Sequence, residues 1–224
     1  MPGDPDEIVR RFHSLFYESA RTTWNRSRWL GVPAFKCPLD LWVYQEILFQ
    51  TRPDLVVETG TASGGSAYFF ASVCDQIGSG RVITIDVNRR EDFPAHARIT
   101  YLTGSSTAPE IVTAVAEAIG PEERVMVILD SDHAKDHVLE ELRSYAPLVT
   151  RGNYLVVEDT NLNGNPVFPE HGPGPREAVE EFMSEDDGFV VDSSREKFLL
   201  TFNPGGFLKR VKGVAAVKRS HSAP

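Results

Sequence analysis

The sequence predicts an α/β protein with a central, mainly parallel sheet of seven strands and helices on both faces. Short apolar runs rich in Val, Ile and Leu alternate with helix-length segments along most of the chain. This alternation is typical of parallel strands that are buried on both faces. Glycines and acidic residues follow several of these runs directly. In such sheets ligands bind beyond the carboxyl ends of the strands, so these residues are candidates for a binding site.

The N-terminal part of the chain is expected to be helical. Residues 5–20 have the apolar spacing of a helix, residues 21–37 are expected to wrap around the domain, and a second helix is expected over residues 38–49. The expected strands cover residues 55–58, 82–86, 99–102, 125–130, 154–157, 189–191 and 198–202, and the later helices cover residues 64–77, 108–119, 134–146 and 175–184.

Length and composition limit the classes of protein that fit. The 224 residues suit one main domain over 51–208, with a helical extension over 1–50 and a basic tail over 209–224. The net charge of -9 argues against a nucleic-acid-binding protein. The two cysteines, Cys37 and Cys74, form no disulfide or metal pattern and fit a reducing cytoplasm. No apolar run predicts a signal peptide or a membrane span.

The turn after the first strand is rich in glycine and runs from Glu58 to Ser66, with Gly60 and Gly64 inside it. Glycines allow a tight turn and a close approach of the backbone to a ligand, and the helix that follows presents free N–H groups. The spacing differs from the G-x-G-x-x-G of dinucleotide sites. The turn therefore indicates a ligand site, although a simple strand-to-helix connection has similar features.

The next two strands end in residues that suit an adenosine group. Asp86 ends the second strand, 26 positions after Gly60, which is close to the spacing of about 20 at which a carboxylate binds ribose hydroxyls. Ser105 and Ser106 follow the third strand, where small polar side chains are expected to border an adenine ring. Together with the glycine turn, these residues favour an adenosine-containing cofactor.

Carboxylates follow the fourth and fifth strands. The fourth strand leads into Asp130, Asp132 and His133, and the fifth leads into Glu158 and Asp159. Adjacent parallel strands bring such ends together, and without a cation some of the carboxylates would have to stay protonated. Oxygen ligands of this kind are those that Mg²⁺ prefers. The pattern favours a metal site, with a helix-capping role for Asp132 as an alternative.

The region from Glu58 to Asp159 resembles the metal-dependent O-methyltransferases of the catechol type. A closer resemblance, over almost the whole chain, is to the family of rhamnosyl O-methyltransferases and cephalosporin hydroxylase, whose catalytic domain is shared by macrolide sugar O-methyltransferases. It rests on five segments, Lys36-Cys-Pro-Leu-Asp40-Leu-Trp42-Val-Tyr-Gln45-Glu46, Glu58-Thr-Gly-Thr-Ala-Ser-Gly-Gly-Ser66, Leu129-Asp-Ser-Asp-His133, Val157-Glu-Asp159 and Asn203-Pro-Gly-Gly206.

The resemblance implies a class I methyltransferase with a Rossmann-like fold that uses S-adenosylmethionine (SAM). The catechol-type spacing of 28 residues between Asp130 and Glu158 selects Asp130 over Asp132 as a ligand. Mg²⁺ (or Mn²⁺) would then bind Asp130, Glu158 and Asp159, and His133 would be the general base, with Asp130 also in the catalytic site. The implied cofactor-binding residues are Glu58, Gly60, Thr61, Gly64, Ser66, Asp86, Ser105, Ser106 and Asp130.

The resemblance also implies a small-molecule acceptor, a sugar or polyol hydroxyl of a natural product such as a deoxysugar of an antibiotic or glycolipid, and a homo-oligomer with contacts through the N-terminal helices. No membrane or nucleic-acid partner is expected. The long loop over residues 160–175 is expected to cover the acceptor, with Asn161 and His171 as candidate contacts.

Four alternatives stay open. The first is a protein of the cephalosporin hydroxylation or methoxylation type that acts on a β-lactam nucleus. The second is an NAD-dependent oxidoreductase, although the G-x-G-x-x-G turn and a Tyr-x-x-x-Lys pair are absent from the sequence. The third is a non-catalytic subunit with the same fold, against which the intact acidic residues argue. The fourth is a zinc site through His133 and His137, which lacks an obvious third nitrogen or sulfur ligand.

Overall fold

The computed structural model describes residues 4–213, so most of the expected basic tail lies outside the described residues. Within this range the chain forms one seven-stranded sheet, a two-stranded hairpin and six α-helices. The helices are α1 (Pro5–Glu18), α2 (Pro38–Thr51), α3 (Gly65–Ile77), α4 (Pro109–Glu117), α5 (Lys135–Tyr145) and α6 (Pro175–Glu185). The strands are β1 (Arg28–Trp29), β2 (Val32–Pro33), β3 (Leu55–Thr59), β4 (Arg81–Asp86), β5 (Ile99–Thr103), β6 (Val125–Leu129), β7 (Tyr154–Val157), β8 (Phe189–Val191) and β9 (Phe207–Arg210).

The large sheet has the strand order β5-β4-β3-β6-β7-β9-β8. The pairs β3–β4, β3–β6, β4–β5 and β6–β7 are parallel, and β9 is antiparallel to both β7 and β8. The strand order changes direction at β3, so β4 and β6 flank it, and the carboxyl ends of these strands meet along one edge. The predicted mainly parallel α/β sheet is confirmed.

The two faces of the sheet carry separate apolar cores. Side chains alternate along β6, so that Val127 faces one core and Met126 faces the other. The first core is closed by α4, α5 and α6, with Leu142 among its buried residues. The second is closed by α2 and α3, with Ile47 and Phe70 fully buried. Helices on both faces hold the strands rigidly, which fixes the positions of the loops at their ends.

The seventh strand is not where the sequence predicts it. Residues 198–202 form no strand, and β9 lies further along the chain. Leu199 has a left-handed backbone with φ of 67°, which breaks an extended run. Leu200 and Phe202 are buried against Cys37 in a small third cluster rather than in the sheet. The strand pattern in this segment therefore reflects packing onto the N-terminal region.

The segment expected to be a tail begins inside the sheet. Arg210 is buried in β9, and its guanidinium donates a hydrogen bond to the Ala146 carbonyl over 2.8 Å. Lys209 pairs with Tyr154 of β7 in the antiparallel register. The first two residues of the expected tail thus belong to the domain.

The N-terminal region packs on the sheet domain at two places. The Trp29 ring of the β1–β2 hairpin meets the Phe69 ring of α3 edge-on, with centroids 4.8 Å apart. The buried side of α1 packs around Phe202, which also contacts Trp24. Among residues 4–213, no helix has both the length and the apolar character needed to cross a membrane.

Candidate functional site

The glycine turn between β3 and α3 is tightly enclosed by backbone. A Cβ atom on Gly60, which has φ of 85°, would lie 1.8 Å from the Asp130 carbonyl oxygen. A Cβ atom on Gly65 would lie 2.0 Å from the Pro33 carbonyl oxygen. Glycine is required at both positions because the turn fits between the end of β6 and the segment after the hairpin. The turn therefore brings the N-terminal region and the strand ends into one site.

Glu58 lies beneath this turn and is completely buried. Its Oε2 accepts a hydrogen bond from the Thr84 hydroxyl over 2.6 Å, and Oε1 has no hydrogen-bond partner among the described residues. Burial raises the pKa of the Glu58 carboxyl, although the nearby Lys36 ammonium opposes this effect. A buried carboxylate oxygen without a partner favours a cationic or hydrogen-bond-donating ligand. The Thr84 hydroxyl in turn accepts a hydrogen bond from the Thr61 hydroxyl over 2.7 Å.

Two cavities border the turn. One, of about 20 Å³, contains Thr61 and Ser66 in its wall. The other, of about 220 Å³, opens between the ends of β4, β5 and β6. It is called the nucleoside cavity below because the sequence predicts an adenosine group at these strand ends. Its wall includes Gly60, Ile85, Asp86, Val87, Gly104, Ser105, Ser106, Ser131, Asp132 and His137. Four predicted cofactor-binding residues, Gly60, Asp86, Ser105 and Ser106, thus share this cavity. Gly64 lies in the wall of neither cavity.

Asp86 already holds the backbone around the nucleoside cavity. Its Oδ2 accepts from the Ala62 amide over 2.9 Å, and its Oδ1 accepts from the Asn88 amide over 2.8 Å. These bonds fix the carboxylate at the end of β4. Each carboxylate oxygen has a second lone pair, so Asp86 retains the capacity to accept from a ligand hydroxyl.

Three of the residues expected at the catalytic and metal site lie together. Asp130, His133 and Asp159 each offer one ligand atom, and these atoms lie within 4.8 Å of one another. The His133 Nε2 is 3.0 Å from the Asp159 Oδ2. Asp159 has a left-handed backbone with φ of 55°, and its amide donates to the Asn203 Oδ1 over 3.2 Å. The strained backbone aims the Asp159 carboxylate at His133.

Glu158 is linked to Asp130 through the side chain of Lys36, which contacts both carboxylates. The Lys36 Nζ is 2.7 Å from the Glu158 Oε1 and also contacts the Asp130 Oδ2. The Tyr44 hydroxyl donates to the same Glu158 oxygen over 2.7 Å. Lys36 and Glu158 are both buried. An internal ammonium therefore joins two of the three carboxylates that the sequence predicts as metal ligands.

Burial and mutual repulsion set the protonation of this group. Burial raises the pKa of Asp130 to about 6 and that of Glu158 to about 7, although Lys36 lowers both. Burial lowers the pKa of His133, but the hydrogen bond and charge of Asp159 outweigh it, and the pKa rises to about 9. The group thus prefers to hold protons or cations. Its hard oxygen donors fit a divalent ion such as Mg²⁺.

Two neighbouring residues have other partners. The Asp132 Oδ1 accepts from the Ala134 amide over 2.7 Å, in the turn just before α5, but no side chain caps α5, so the capping role that the sequence left open for Asp132 is wrong. The His137 Nε2 lies 3.2 Å from the Ser106 Oγ and 3.1 Å from the Ser131 Oγ. Within residues 4–213, His137 belongs to no group of three or more possible metal ligands, and its Nε2 faces two serine hydroxyls instead.

The loop after β7 is anchored at both ends. Glu177 accepts from the Asn163 side chain and from the Gly174 amide, each over 2.8 Å. The Lys135 amide donates to the Pro173 carbonyl over 3.2 Å, and a Cβ atom on Gly174 would lie 3.3 Å from the His133 carbonyl oxygen. The end of the loop therefore packs beside the candidate base.

The two side chains expected to contact an acceptor differ in their surroundings. Asn161 is completely buried, and its Nδ2 hydrogen-bonds to the His13 Nε2 at 3.0 Å. It ties the loop to α1, so its expected contact with a sugar is wrong. His171 is half-buried, and its Nδ1 lies 3.1 Å from the Gly172 carbonyl oxygen. Its other ring nitrogen remains a candidate contact.

Lys36 and Tyr44 are the site residues that sequence reasoning missed. Both lie in a segment that carries the family resemblance, but they are 94 and 114 residues away from their carboxylate partners. A lysine inside an otherwise apolar stretch, directly before Cys37 and Pro38, is the only local signal. It indicates a buried lysine that needs an acidic partner.

The profile of the Rhamnosyl O-methyltransferase/CmcI family matches residues 21–211. The chain belongs to this family. A rhamnosyl O-methyltransferase from Mycobacterium leprae (strain TN) is 41% identical over 211 residues, which are 92% of this chain and 91% of that protein. The predicted family is thereby confirmed.

Solved structures of the Rhamnosyl O-methyltransferase/CmcI family have the same fold. An apo structure of CmcI has a TM-score of 0.66 at 24% identity and covers 84% of this chain and 78% of that chain. A structure of CmcI with Mg and SAM has a TM-score of 0.64 at 22% identity, with the same coverage of both chains. The predicted class I methyltransferase fold is confirmed.

Proposed function

We propose that the protein is a SAM-dependent O-methyltransferase that transfers a methyl group to a hydroxyl of a sugar or polyol moiety of a natural product. The observation that carries the proposal is the group of Asp130, His133 and Asp159, whose ligand atoms lie within 4.8 Å of one another beside the glycine turn. A base and hard cation ligands next to a nucleoside cavity are what this transfer requires. The name of the Mycobacterium leprae relative supports a rhamnose acceptor.

The cofactor is assigned to the glycine turn and the nucleoside cavity. The structure of CmcI with Mg and SAM supports this assignment through its shared fold. The unpartnered oxygen of Glu58 suits the amino group of the methionine part, and Asp86 suits the ribose hydroxyls. The full set of proposed cofactor-binding residues is Glu58, Gly60, Thr61, Gly64, Ser66, Asp86, Ser105, Ser106 and Asp130.

The metal is assigned to Asp130, Glu158 and Asp159, as Mg²⁺ or Mn²⁺. Three carboxylates at one edge of the sheet, two of them with raised pKa values, supply the negative charge that a divalent cation offsets. Such a cation, when bound, orients an acceptor hydroxyl and lowers its pKa. Lys36 provides part of the positive charge from the protein side, since it contacts two of these carboxylates.

His133 is assigned as the general base. Its Nε2–H is held by Asp159 at 3.0 Å, so the other ring nitrogen, Nδ1, would take the proton of the acceptor hydroxyl, and Asp159 would stabilise the resulting imidazolium. The anchored loop over residues 163–174 packs next to this histidine. We assign that loop to the acceptor side, where it would exclude water from the reacting oxygen.

The first experiment measures binding of SAM and of S-adenosylhomocysteine (SAH) by calorimetry, then methyl transfer to rhamnosylated acceptors with Mg²⁺ or with chelator. We expect binding of both ligands, and turnover only with metal. Asp130→Asn and His133→Gln should each lower kcat by roughly 10²–10⁴-fold, as loss of positioned acid–base groups does. The exposed Asp136→Asn, on the first turn of α5, is the matched control and should keep activity.

The assignment fails if neither SAM nor SAH binds at high micromolar concentrations. Full turnover in the presence of chelator would remove the metal from the mechanism while leaving the methyl transfer intact. A His133→Gln enzyme with wild-type kcat would remove His133 as the base. These outcomes are separable, since each concerns a different measurement.

We also propose that the protein is a homo-oligomer and that it acts in the cytoplasm. The apolar face of α1 exposes Ile8, Phe12 and Leu15, which are 54%, 52% and 63% exposed. Such a contiguous apolar face on a helix favours contact with another copy of the chain. Cys37 and Cys74 are both free and buried, which supports a reducing compartment.

A further inference from the structure

We propose that His137 and Glu141 position the hydroxyls of Ser106 and Ser131 so that they read the adenine base of the cofactor and select it over other purines. The inference rests on the proposed function, because it takes the nucleoside cavity as the place of the adenosine group. In the proposed function His137 has no role. The four residues form a hydrogen-bonded group at the wall of this cavity and are called the serine–histidine group below.

The serine–histidine group is compact. The His137 Nε2 lies 3.2 Å from the Ser106 Oγ and 3.1 Å from the Ser131 Oγ. The Ser131 hydroxyl donates to the Glu141 Oε1 over 2.7 Å, and the two serine oxygens are 3.4 Å apart. Ser106, Ser131 and His137 form part of the wall of the 220 Å³ cavity. Glu141 lies behind them and is completely buried.

The hydrogen-bond partners of Ser131, His137 and Ser106 determine which of these side chains donate and which accept. The proton of the Ser131 hydroxyl goes to Glu141, so the Ser131 oxygen can only accept from a ligand. The His137 Nε2 lies 3.6 Å from the Glu141 Oε1, and this carboxylate raises the pKa of His137, which favours a proton on Nε2. A protonated Nε2 accepts from neither serine, and the Ser131 proton goes to Glu141, so the Ser106 hydroxyl proton is free to point into the cavity.

The cavity wall therefore presents a donor, Ser106, next to an acceptor, Ser131. Adenine presents the complementary pair, a ring nitrogen that accepts next to an amino group that donates. Hypoxanthine has a carbonyl oxygen in place of the amino group, so an acceptor would face the Ser131 oxygen. A polar group left unpaired in such a site lowers affinity by roughly ten- to a hundredfold.

The neighbours of this group hold it in place. The Tyr145 hydroxyl donates to the Ser106 carbonyl over 2.7 Å, which fixes the loop after β5 against α5. The Glu141 Oε2 has no hydrogen-bond partner among the described residues. A buried carboxylate that is only half satisfied costs stability. A role in ligand selection accounts for its presence better than packing does, because a leucine would fill the same space without that cost.

The test compares two ligands, SAH and S-inosylhomocysteine; in the latter a carbonyl oxygen replaces the purine amino group and the adjacent ring nitrogen N1 carries a proton. Calorimetry would measure both on the wild type, His137→Phe, His137→Gln and Asp86→Asn. We expect the wild type to prefer SAH by at least tenfold. His137→Phe should lose at least tenfold in SAH affinity and bring the ratio of the two affinities close to one. His137→Gln, whose amide N–H can replace the Nε2–H beside the two serine oxygens, should keep most of the preference.

Asp86→Asn is the matched control, because its carboxylate faces the ribose part and should weaken both ligands alike. With the full enzyme, His137→Phe should raise the KM for SAM at least tenfold and change kcat less than threefold. A merely structural role would lower kcat and the melting temperature together. Thermal unfolding without ligand shows whether the variant is folded; if it is not, Ser106→Ala takes its place and should lower the same ratio.

An unchanged ratio of the two affinities in folded His137→Phe, or in Ser106→Ala, would overturn the inference. An equal loss for both ligands would do the same, since it would show a general effect on the cavity. A wild type that binds neither ligand would contradict the proposed function itself. The two failures are thus distinguishable.

Discussion

At the scale of single residues, Asp159 has two proposed partners, His133 and a metal ion. Its carboxylate pairs with His133 at 3.0 Å, and the same carboxylate is a proposed metal ligand. The pKa of His133 therefore depends on how this one group is used. A cation on Asp159 would withdraw negative charge from His133 and lower its pKa, which would make the histidine a better base at neutral pH.

Asp159→Asn should lower the pKa of His133 from about 9. The amide is neutral, so it no longer stabilises the imidazolium, and burial then lowers the pKa. The measurement is the pH titration of the His133 ring protons by NMR, compared with the wild type and with Asp136→Asn as a surface control. A His133 pKa that stays near 9 in Asp159→Asn would contradict the pairing.

Asp40→Asn should change how stability depends on pH. Burial raises the pKa of Asp40 to about 7 from its usual value of 3.8. A carboxyl with a raised pKa contributes stability that is fully present below the pKa of the unfolded state and is lost as the pH rises through 7. The wild type should therefore lose up to about 1.4 kcal/mol per pH unit between the two pKa values, and the variant should lack this part.

Urea unfolding at pH 5 and pH 8 measures this difference. Other buried carboxyls contribute to both proteins and cancel in the comparison. The Asp40 Oδ2 accepts from the Phe202 amide over 2.8 Å, and asparagine can keep that bond. Equal slopes of stability against pH in the two proteins would show that Asp40 does not titrate in this range.

At the scale of elements, Phe202 is the centre of the contact between α1 and the domain. Its ring lies 5.2 Å from that of Tyr17, 5.6 Å from that of Trp24 and 5.9 Å from that of His13, between centroids. Phe202→Ala should lower the free energy of unfolding by about 3–5 kcal/mol, the usual cost of a buried phenylalanine. It should also speed proteolysis within α1.

Phe198→Ala is the matched control from the same segment. Phe198 is 36% exposed, whereas Phe202 is 3% exposed. Its replacement should cost far less stability and leave the proteolysis of α1 unchanged. Similar losses in both variants would show that α1 does not depend on the contact with Phe202.

Most elements could be predicted from the sequence because their patterns are local. The expected helix over residues 64–77 is observed as Gly65–Ile77, and that over residues 175–184 as Pro175–Glu185. The strand expected at 198–202 was wrong, because its apolar residues satisfy a contact with α1 that lies almost 190 residues away in the chain, as in the pair His13 and Phe202. Strand β9 was missed because Lys209 and Arg210 suggest a solvated tail.

Only the site residues that directly follow predicted strands could be predicted from the sequence. Asp130, His133 and Asp159 follow strands that neighbour each other, so the sequence brings them together correctly. Lys36 comes from the N-terminal region, and no local pattern shows that it would lie between Asp130 and Glu158. Long-range packing decides such contacts.

For the whole molecule, the exposed face of α1 leads to a prediction about assembly. Phe12→Glu places a charge in the middle of this face and should lower the molar mass measured by light scattering after size-exclusion chromatography. Arg11→Glu, an exposed neighbour on the same helix, is the control and should leave the mass unchanged. A wild type with the mass of one chain would contradict the proposed homo-oligomer.

The position of β9 between β7 and β8 also governs how the protein can be made. β8 is synthesised before β9, so it has no strand to pair with until residues 207–210 leave the ribosome. The outer edge of β7, the strand directly before Glu158 and Asp159, also stays unpaired until residues 207–210 are present. A premature stop codon only slightly upstream of residue 207 would therefore leave two unpaired strand edges, which are templates for aggregation. Such a truncated product should aggregate in the cell, although it would already contain all of its candidate site residues, the last of which is His171.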